Sequence, residues 1–179
     1  MYVFGYGSLI NIPSAANALK RPLKQMDLVP AFARGYVRCW RGKERLYFES
    51  LGREATGVFL DLCPDKNSTV NGVLLEVSLE ELTQLGLREK NYQCVDITDA
   101  IVDSPDGKIY TFTVKTEHLL MTEDKDVYIP RLYIDMVKEG CRAMGEDFLS
   151  DYEVSTAPVK IPVLDNQYSF IDPVQARYI

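Results

Sequence analysis

Short strand-like segments separated by turns run along most of this 179-residue chain, and they constrain the fold more than any other feature. The segments are rich in β-branched, aliphatic and aromatic residues, and glycine or proline stands between or within several of them. Only two or three stretches have the apolar spacing of a helix. We therefore expect an α+β fold with about six to eight strands in a barrel-like sheet. The strand-like segments are residues 2–4, 28–40, 46–50, 55–60, 71–77, 92–103 and 108–116.

Helix signals place three helices along the chain. Ser14 is a candidate N-cap for a short helix near the N-terminus. Ser78, followed three residues later by Glu81, forms a capping box for a helix that ends near residue 87 or 88. Residues 130–144 have apolar side chains at helical spacing, and residues 148–149 extend this pattern.

No linker, repeat or low-complexity segment divides the sequence, so we expect a single domain over residues 1–179. Its last part, residues 155–179, contains Pro158, Pro162 and Pro173. Proline removes a backbone donor and interrupts regular structure. This part is therefore expected to be an extended or irregular segment that wraps the surface.

The composition limits the classes of partner. Hydrophobic residues make up 46% of the chain and the formal net charge is −6, which disfavours nucleic acid and anionic membranes as partners. No apolar run approaches the roughly 18 residues that a membrane span needs. The first residues lack the basic and apolar regions of a signal peptide, so a cytoplasmic location is expected. The four cysteines, Cys39, Cys63, Cys94 and Cys141, are accordingly predicted to be reduced thiols.

The chain has one histidine, His118, and this restricts its possible chemistry. A Ser-His-Asp or Cys-His mechanism would have to use that residue, and a histidine-rich metal site is impossible. No metal site is expected. Acid–base chemistry is expected to depend on a carboxylate, a tyrosine, a lysine or the backbone.

The first candidate site is a glycine-bearing loop that directly follows the N-terminal strand and precedes a predicted helix. Glycine allows the backbone to approach a ligand closely, and successive N–H groups in such a turn can bind a carboxylate or an oxyanion. An ordinary strand-to-helix turn is the alternative. The loop and its flanks consist of Phe4, Gly5, Tyr6, Gly7, Ser8 and Leu9.

The second candidate is Glu89, at the predicted end of a helix. Burial near Tyr92 would raise the pKa of the Glu89 carboxyl and make it a better base near neutral pH. The flanking Arg88 and Lys90 favour a different interpretation, a solvated turn held by ion pairs. From the local pattern alone, the solvated turn is the stronger interpretation.

Two further segments allow two interpretations each. The aromatic and basic run at 35–42 can bind nucleic acid in other proteins, but here a strand with one face in the core is favoured. Tyr133, near the start of the predicted helix at 130–144, lines a pocket or simply packs its ring at the helix start.

Three of these segments together resemble the γ-glutamylcyclotransferase superfamily, particularly its ChaC-like and AIG2-like branches. FGYGSLI at 4–10 resembles the superfamily's N-terminal signature. GYVRCWRG at 35–42 resembles the strand that follows it, and LREKNYQCVDI at 87–97 resembles the segment that holds the superfamily's glutamate. IPRLYIDMVKEG at 129–140 resembles a C-terminal helix more loosely, so the resemblance spans roughly residues 1–150.

The resemblance implies a small mixed β-barrel with flanking helices and one reaction, release of 5-oxoproline from a γ-glutamyl compound without a cofactor. It implies that Glu89 is the proton acceptor and that residues 4–9 form the substrate-binding loop, to which Tyr133 is added as a candidate substrate contact. Glutathione, γ-glutamyl amino acids and γ-glutamyl amines all remain candidate substrates.

Two other functions are compatible with the same segments. One is a non-catalytic module that binds a γ-glutamyl group or another carboxylate on the same fold. The other is an interaction protein that uses the acidic region at 117–126, although a solvated loop is the simpler interpretation of that region. The leaving group and the oligomeric state stay open.

Overall fold

The computed structural model describes residues 1–165 and 167–178 and contains eight strands and four α-helices. The strands are Tyr2–Gly5 (β1), Val29–Phe48 (β2), Arg53–Glu76 (β3), Tyr92–Asp96 (β4), Ile109–Val114 (β5), Val127–Pro130 (β6), Val163–Leu164 (β7) and Tyr168–Phe170 (β8). The helices are Ile12–Leu19 (α1), Leu79–Arg88 (α2), Arg131–Met144 (α3) and Glu146–Val154 (α4). Short 3-10 helices cover Ser8–Ile10, Gln25–Asp27, Thr98–Ala100, Thr116–His118 and Gln175–Tyr178.

The strands form one mixed sheet, which confirms the α+β class. Its order is β4-β5-β1-β3-β2-β8, with β6 paired to β3 and β7 paired to β6. The β1–β5, β3–β6 and β6–β7 pairs are parallel, and the others are antiparallel. Within residues 1–165 and 167–178 the pairing is an open path from β4 to β8.

A long β2–β3 hairpin forms the centre of the sheet and corrects the predicted strand boundaries. Four expected strands merge into two, because β-bulges between Arg34 and Tyr36 and between Trp40 and Gly42 bend β2 without ending it. Gly35, with φ of +81°, occupies the first bulge. One end of the hairpin pairs with β1, and the other pairs with β6 and β8.

The helix boundaries agree with the sequence for α2 and α3 and differ at the start of α1 and beyond the end of α3. The α2 capping box is present: Ser78 Oγ accepts from the Glu81 N–H at 3.1 Å and Glu81 Oε2 accepts from the Ser78 N–H at 2.8 Å. The N-cap of α1 is Asn11 rather than Ser14, because the Asn11 side chain accepts from the Ser14 N–H at 3.1 Å. Residues 148–149 belong to the separate helix α4, which follows a break at Gly145.

The tail contains short regular elements. After α4 it contributes β7 to β6 and β8 to β2, and it ends in the 3-10 helix Gln175–Tyr178. Asn166 and Ile179, which the expectation also covered, lie outside the described residues. Among the helices of the described chain, none is both long and apolar enough to cross a membrane.

The cysteines do not all remain free thiols. Cys39 on β2 and Cys63 on β3 form a disulfide, with their Cα atoms 6.3 Å apart. Cys94 and Cys141 are free, the first exposed and the second buried. The expectation of four reduced thiols is therefore wrong for one pair, because a hairpin brings residues separated by 24 positions side by side.

Candidate active site

Two adjoining cavities lie at the end of β1, one of about 160 Å³ and one of about 50 Å³. The loop after β1 lines the smaller cavity, and residues from α2, α3, the β2–β3 hairpin and the tail line the larger one. Four residues border both cavities, so they mark the place where the two meet: Ser8, Glu89, Tyr92 and Tyr133.

The substrate loop predicted at residues 4–9 is fixed by the core beneath it. All six of its residues line the smaller cavity. The Tyr6 hydroxyl donates to the Phe112 carbonyl at 2.6 Å, and the Tyr6 carbonyl accepts from Arg38 Nε at 2.6 Å. Both ends of Tyr6 are thus held, and the chain passes into the 3-10 helix Ser8–Ile10 with a defined geometry.

Gly7 lies directly against the Tyr133 side chain of α3. A Cβ atom at Gly7 would lie 2.9 Å from the Tyr133 hydroxyl, nearer than real Cβ contacts allow. The Tyr133 ring cannot easily move away, because it packs edge-on against Phe59 and Trp40 at centroid distances of 4.9 Å and 6.2 Å. Glycine is therefore required here for the loop and Tyr133 to share one cavity wall.

Glu89 lies at the C-terminal end of α2, and its side chain is only 19% exposed. Its backbone N–H donates to the Leu85 carbonyl and its carbonyl accepts from the Tyr92 N–H, both at 2.8 Å. Burial raises the pKa of the Glu89 carboxyl, and the charge of Arg88 partly opposes the rise. The solvated turn favoured by the local sequence is wrong for Glu89, which borders both cavities.

The buried Tyr6 and Tyr133 and the partly buried Tyr92 line the smaller cavity together with this carboxyl. Burial raises the pKa values of the Tyr6, Tyr92 and Tyr133 phenols, and the Glu89 charge raises each of them further. The Tyr92 hydroxyl donates to the Leu60 carbonyl at 3.0 Å. All three phenols therefore stay protonated at neutral pH, and Glu89 is the group at this junction suited to accept a proton.

The larger cavity has one aromatic and one polar wall. Phe59 on β3 stacks on Phe170 of β8 with ring centroids 5.6 Å apart, and Tyr168 lies 6.2 Å from Phe59. The polar wall contains Ser8, Ser14, Arg88, Asn91 and Gln175. Five residues were not identified from the sequence as part of the cavity wall: Ser14, Phe59, Tyr168, Phe170 and Gln175. For the tail, the alternation Tyr168-Ser169-Phe170 was an available signal, because it is typical of a short strand with two aromatic side chains on one face.

Side chains of the aromatic and basic run at 35–42 contact Tyr6 and Tyr133 from the core. Arg38 is fully buried, donates to the Tyr6 carbonyl, and lies over the Tyr152 ring at 4.7 Å. Burial lowers its pKa to about 10. Trp40 packs behind Tyr133. The positions of Arg38 and Trp40 agree with the interpretation of this run as a strand with one face in the core.

His118 and the acidic region take different positions. His118 lines the larger cavity. Among the described residues its side chain forms no hydrogen bond to Ser8 or Ser14, so no serine–histidine pair is assembled. In the acidic region, Asp124 pairs with Lys43 at 2.8 Å.

One group of side chains in the described part of the chain has the composition of a metal site. The ligand atoms of Cys39, Asp61 and Cys63 lie within 4.8 Å of one another. The two sulfurs are joined to each other, and Asp61 accepts from Arg41 Nε at 2.7 Å and from the Val114 N–H at 2.9 Å. These atoms already have partners, and none of the three residues lines either cavity.

Comparison with solved structures shows which fold this is. YkqA from Bacillus subtilis superposes with a TM-score of 0.58 at 17% identity, over 92% of this chain and 56% of YkqA. A γ-glutamyl cyclotransferase superposes with a TM-score of 0.59 at 9% identity, over 92% of this chain and 93% of that one. The human uncharacterized protein loc79017 gives 0.58 at 12% identity with the same coverages, 92% and 93%.

The chain thus has a γ-glutamylcyclotransferase-like fold, as its sequence motifs predicted. It spans little more than half the length of YkqA. No protein-family model matches the sequence, and no curated protein sequence is significantly similar to it. At these low identities the structural similarity describes the fold, and function has to be argued from the site.

Proposed function

We propose that this protein is a γ-glutamylcyclotransferase-type enzyme that releases 5-oxoproline from a γ-glutamyl compound, with Glu89 as the general base. One observation carries the proposal: a mostly buried carboxyl of raised pKa stands where two cavities meet, opposite the loop at 4–9. The fold of a protein named γ-glutamyl cyclotransferase is consistent with it. No cofactor is part of the proposed mechanism.

The reaction needs little beyond positioning and one base. The substrate's α-amine nitrogen attacks its own γ-carbonyl carbon, a C–N bond closes the five-membered lactam, and the original γ-amide C–N bond breaks. Holding the two groups in attack geometry contributes roughly 7 kcal/mol or more to the lowering of the barrier. Glu89 takes a proton from the amine and returns it to the departing amine.

The loop has a complementary role in this mechanism. Negative charge develops on the γ-carbonyl oxygen as the ring closes. The first N–H groups of a helix have no intrahelical acceptor, and in this chain those of the 3-10 helix at Ser8–Ile10 follow Gly7 at the cavity wall. In the proposed mechanism the N–H groups of Ser8 and Leu9 donate to that oxygen, since the Ile10 N–H already donates to the Gly7 carbonyl. Tyr133, which borders both cavities, would contact the substrate beside the scissile bond.

The test is incubation with a panel of γ-glutamyl amino acids, γ-glutamyl amines and glutathione while 5-oxoproline is measured. We expect turnover of at least one compound by the unmodified protein and its loss in Glu89→Gln, because the amide cannot accept the proton. Glu139→Gln, at an exposed position of α3, is the matched control and is expected to retain activity.

The alternative function is a module that binds a γ-glutamyl group or another carboxylate without turnover. Binding of these compounds to the unmodified protein with no 5-oxoproline formed would favour it. Near-wild-type turnover by Glu89→Gln would refute the proposed role of Glu89 while leaving the reaction itself intact. A cytoplasmic location and small-molecule partners remain predictions.

A further inference from the structure

Arg88, the last residue of α2, is held against the wall of the larger cavity. Its side chain is 13% exposed, and its Nη2 donates to Ser8 Oγ at 3.3 Å and to Ser14 Oγ at 3.2 Å. Both serines also line the cavity. The guanidinium is therefore fixed between the substrate loop and the first turn of α1.

The other terminal nitrogen of this guanidinium has no hydrogen-bond acceptor. Arg88 Nη1 is buried and unpartnered within residues 1–165 and 167–178, and the nearest carboxylate oxygen in an ion pair with it, Glu89 Oε1, is 3.5 Å away. A buried charged donor without an acceptor is costly and rare in folded proteins. Arg88 lines the cavity, so a small rotation of its guanidinium on binding would bring Nη1 to an acceptor oxygen of a ligand.

A second observation points independently to a polar ligand in the same place. Gln175 Oε1 is the other buried side-chain atom without a partner in the described part of the chain, and Gln175 also lines the larger cavity. Two residues of the cavity wall thus carry one buried charged donor and one buried acceptor that have no partner among the described residues. A ligand that carries an anionic oxygen together with an N–H group would satisfy both.

The chemistry of the site selects a carboxylate as the anion. The planar guanidinium fork matches a carboxylate, and a cavity of about 160 Å³ suits an amino-acid-sized group. The charges of Glu89 and Glu44, which also line the cavity, oppose a multiply charged anion such as phosphate. Arg88 and Glu89, with opposite charges 3.5 Å apart, complement a carboxylate and an amine carried on one carbon atom.

We propose that Arg88 is the binding residue for the α-carboxylate of the γ-glutamyl group. The α-amine on the same carbon then lies beside Glu89, and the loop N–H groups remain available for the γ-carbonyl oxygen. This assignment rests on the proposed function for the identity of the ligand. The site itself rests on the two unpartnered atoms.

The test uses three unreactive probes that lack the α-amine and so cannot cyclise. The first is the mono-N-methylamide of glutaric acid, which keeps a carboxylate in the α position. The second is N-methylglutaramide, its neutral carboxamide counterpart. The third is glutaramoylglycine, which has a carboxamide in the α position and a carboxylate only in the leaving group. Affinities are measured by calorimetry on the full chain.

We expect the unmodified protein to bind the first probe about tenfold or more tightly than the second, because a hydrogen bond to a charged group is strong. Arg88→Met should abolish that preference. Arg88→Lys, which keeps the charge but loses the planar fork, should retain part of it. Arg53→Met removes an exposed arginine that pairs with Asp126 outside both cavities and should leave the preference unchanged.

Three results would overturn the assignment: no preference in the unmodified protein, a preference that survives in Arg88→Met, or a preference that follows the leaving-group carboxylate of the third probe. Thermal melts of each variant identify any that fail to fold, in which case Arg88→Lys carries the comparison. If Arg88 acts only by tuning the pKa of Glu89, Arg88→Met shifts the pH profile of turnover but still binds the acid probe more tightly than the carboxamide probe. That result would overturn the assignment.

Because the probes are bound and not converted, failure of this proposal is separable from failure of the proposed function. An Arg88-dependent carboxylate preference without any 5-oxoproline formation would retain the subsite and reject the reaction. Turnover of γ-glutamyl compounds without such a preference would retain the reaction and reject the Arg88 subsite.

Discussion

At the scale of single residues, the environment of Glu89 differs from what its neighbours in the sequence suggest. Arg88 and Lys90 flank it and favour a solvated turn, yet Lys90 pairs with Asp172 of the tail and Arg88 faces the cavity. Glu89 is left mostly buried, with one ion-pair contact at 3.5 Å. The cost of desolvation exceeds the attraction of Arg88, and the carboxyl pKa rises as a result.

This raised pKa predicts that Glu89→Gln makes the protein more stable at neutral pH. A carboxyl whose folded pKa lies above its unfolded value of 4.5 contributes stability below that value, and the contribution is lost as the pH rises through the folded pKa. The amide avoids this loss. Urea unfolding at about pH 8 should show the variant to be more stable than the unmodified protein, and the difference should shrink at about pH 4.

The matched control for this measurement is Glu139→Gln, on the exposed face of α3. Its effect on the free energy of unfolding is expected to be small at both pH values. A Glu89→Gln variant that is less stable than the unmodified protein at about pH 8 would contradict the argument from burial.

At the scale of elements, Arg38 joins the β2–β3 hairpin to the substrate loop and to α4. Its guanidinium donates to the Tyr6 carbonyl at 2.6 Å, to Asn71 Oδ1 at 2.8 Å and to Ser155 Oγ at 2.7 Å. Asn71 in turn donates to the Phe148 carbonyl at 2.8 Å. A fully buried charge held by several acceptors fixes the relative positions of these elements.

Arg38→Met is therefore expected to lower the free energy of unfolding by about 3 kcal/mol, because it leaves several buried acceptors unpaired. Urea denaturation measures the change. Arg34→Met, at an exposed position on the same strand, is the control and should change stability by less than about 0.5 kcal/mol. Equal effects of the two substitutions would show that the network contributes nothing specific.

At the scale of the whole molecule, the cavities are built from segments far apart in sequence. The loop at 4–9 meets Glu89 and Tyr133, and β8 closes the larger cavity by pairing with β2. The ion pair between Lys90 and Asp172 fastens the tail beside α2. The tail thereby supplies part of the wall of the larger cavity, and we expect this wall to contact the leaving group if the proposed reaction takes place.

Phe170→Ala is expected to raise KM for substrates with apolar leaving groups by about tenfold, since it removes an aromatic wall from the larger cavity. Substrates with a small leaving group such as glycine should be affected less. Steady-state kinetics on the two substrate types measures the difference. Ile171→Ala alters the next residue, which is exposed, and should leave both KM values unchanged; a uniform effect of Phe170→Ala would contradict the assignment of the wall.

Local sequence determined those parts of the protein whose structure depends on nearby residues. The capping box of α2, the strand–loop start of the chain and the apolar face of α3 follow from short patterns, because capping and periodicity act over a few residues. The strand-like and helical segments predicted the α+β class, and the motifs at 4–10, 35–42 and 87–97 together predicted the particular fold. The merging of four expected strands into two was not predictable, because the bulges in β2 are set by the register with β3.

Tertiary structure alone decided the burial of Glu89, the core position of Arg38, the Cys39–Cys63 pairing and the contribution of the tail to the cavity. Each depends on contacts between segments separated by tens of residues or more, and their desolvation has no counterpart in the local pattern. The sequence by itself therefore named the loop and the glutamate. Folding decided that both lie beside an arginine whose Nη1 has no hydrogen-bond acceptor among the described residues.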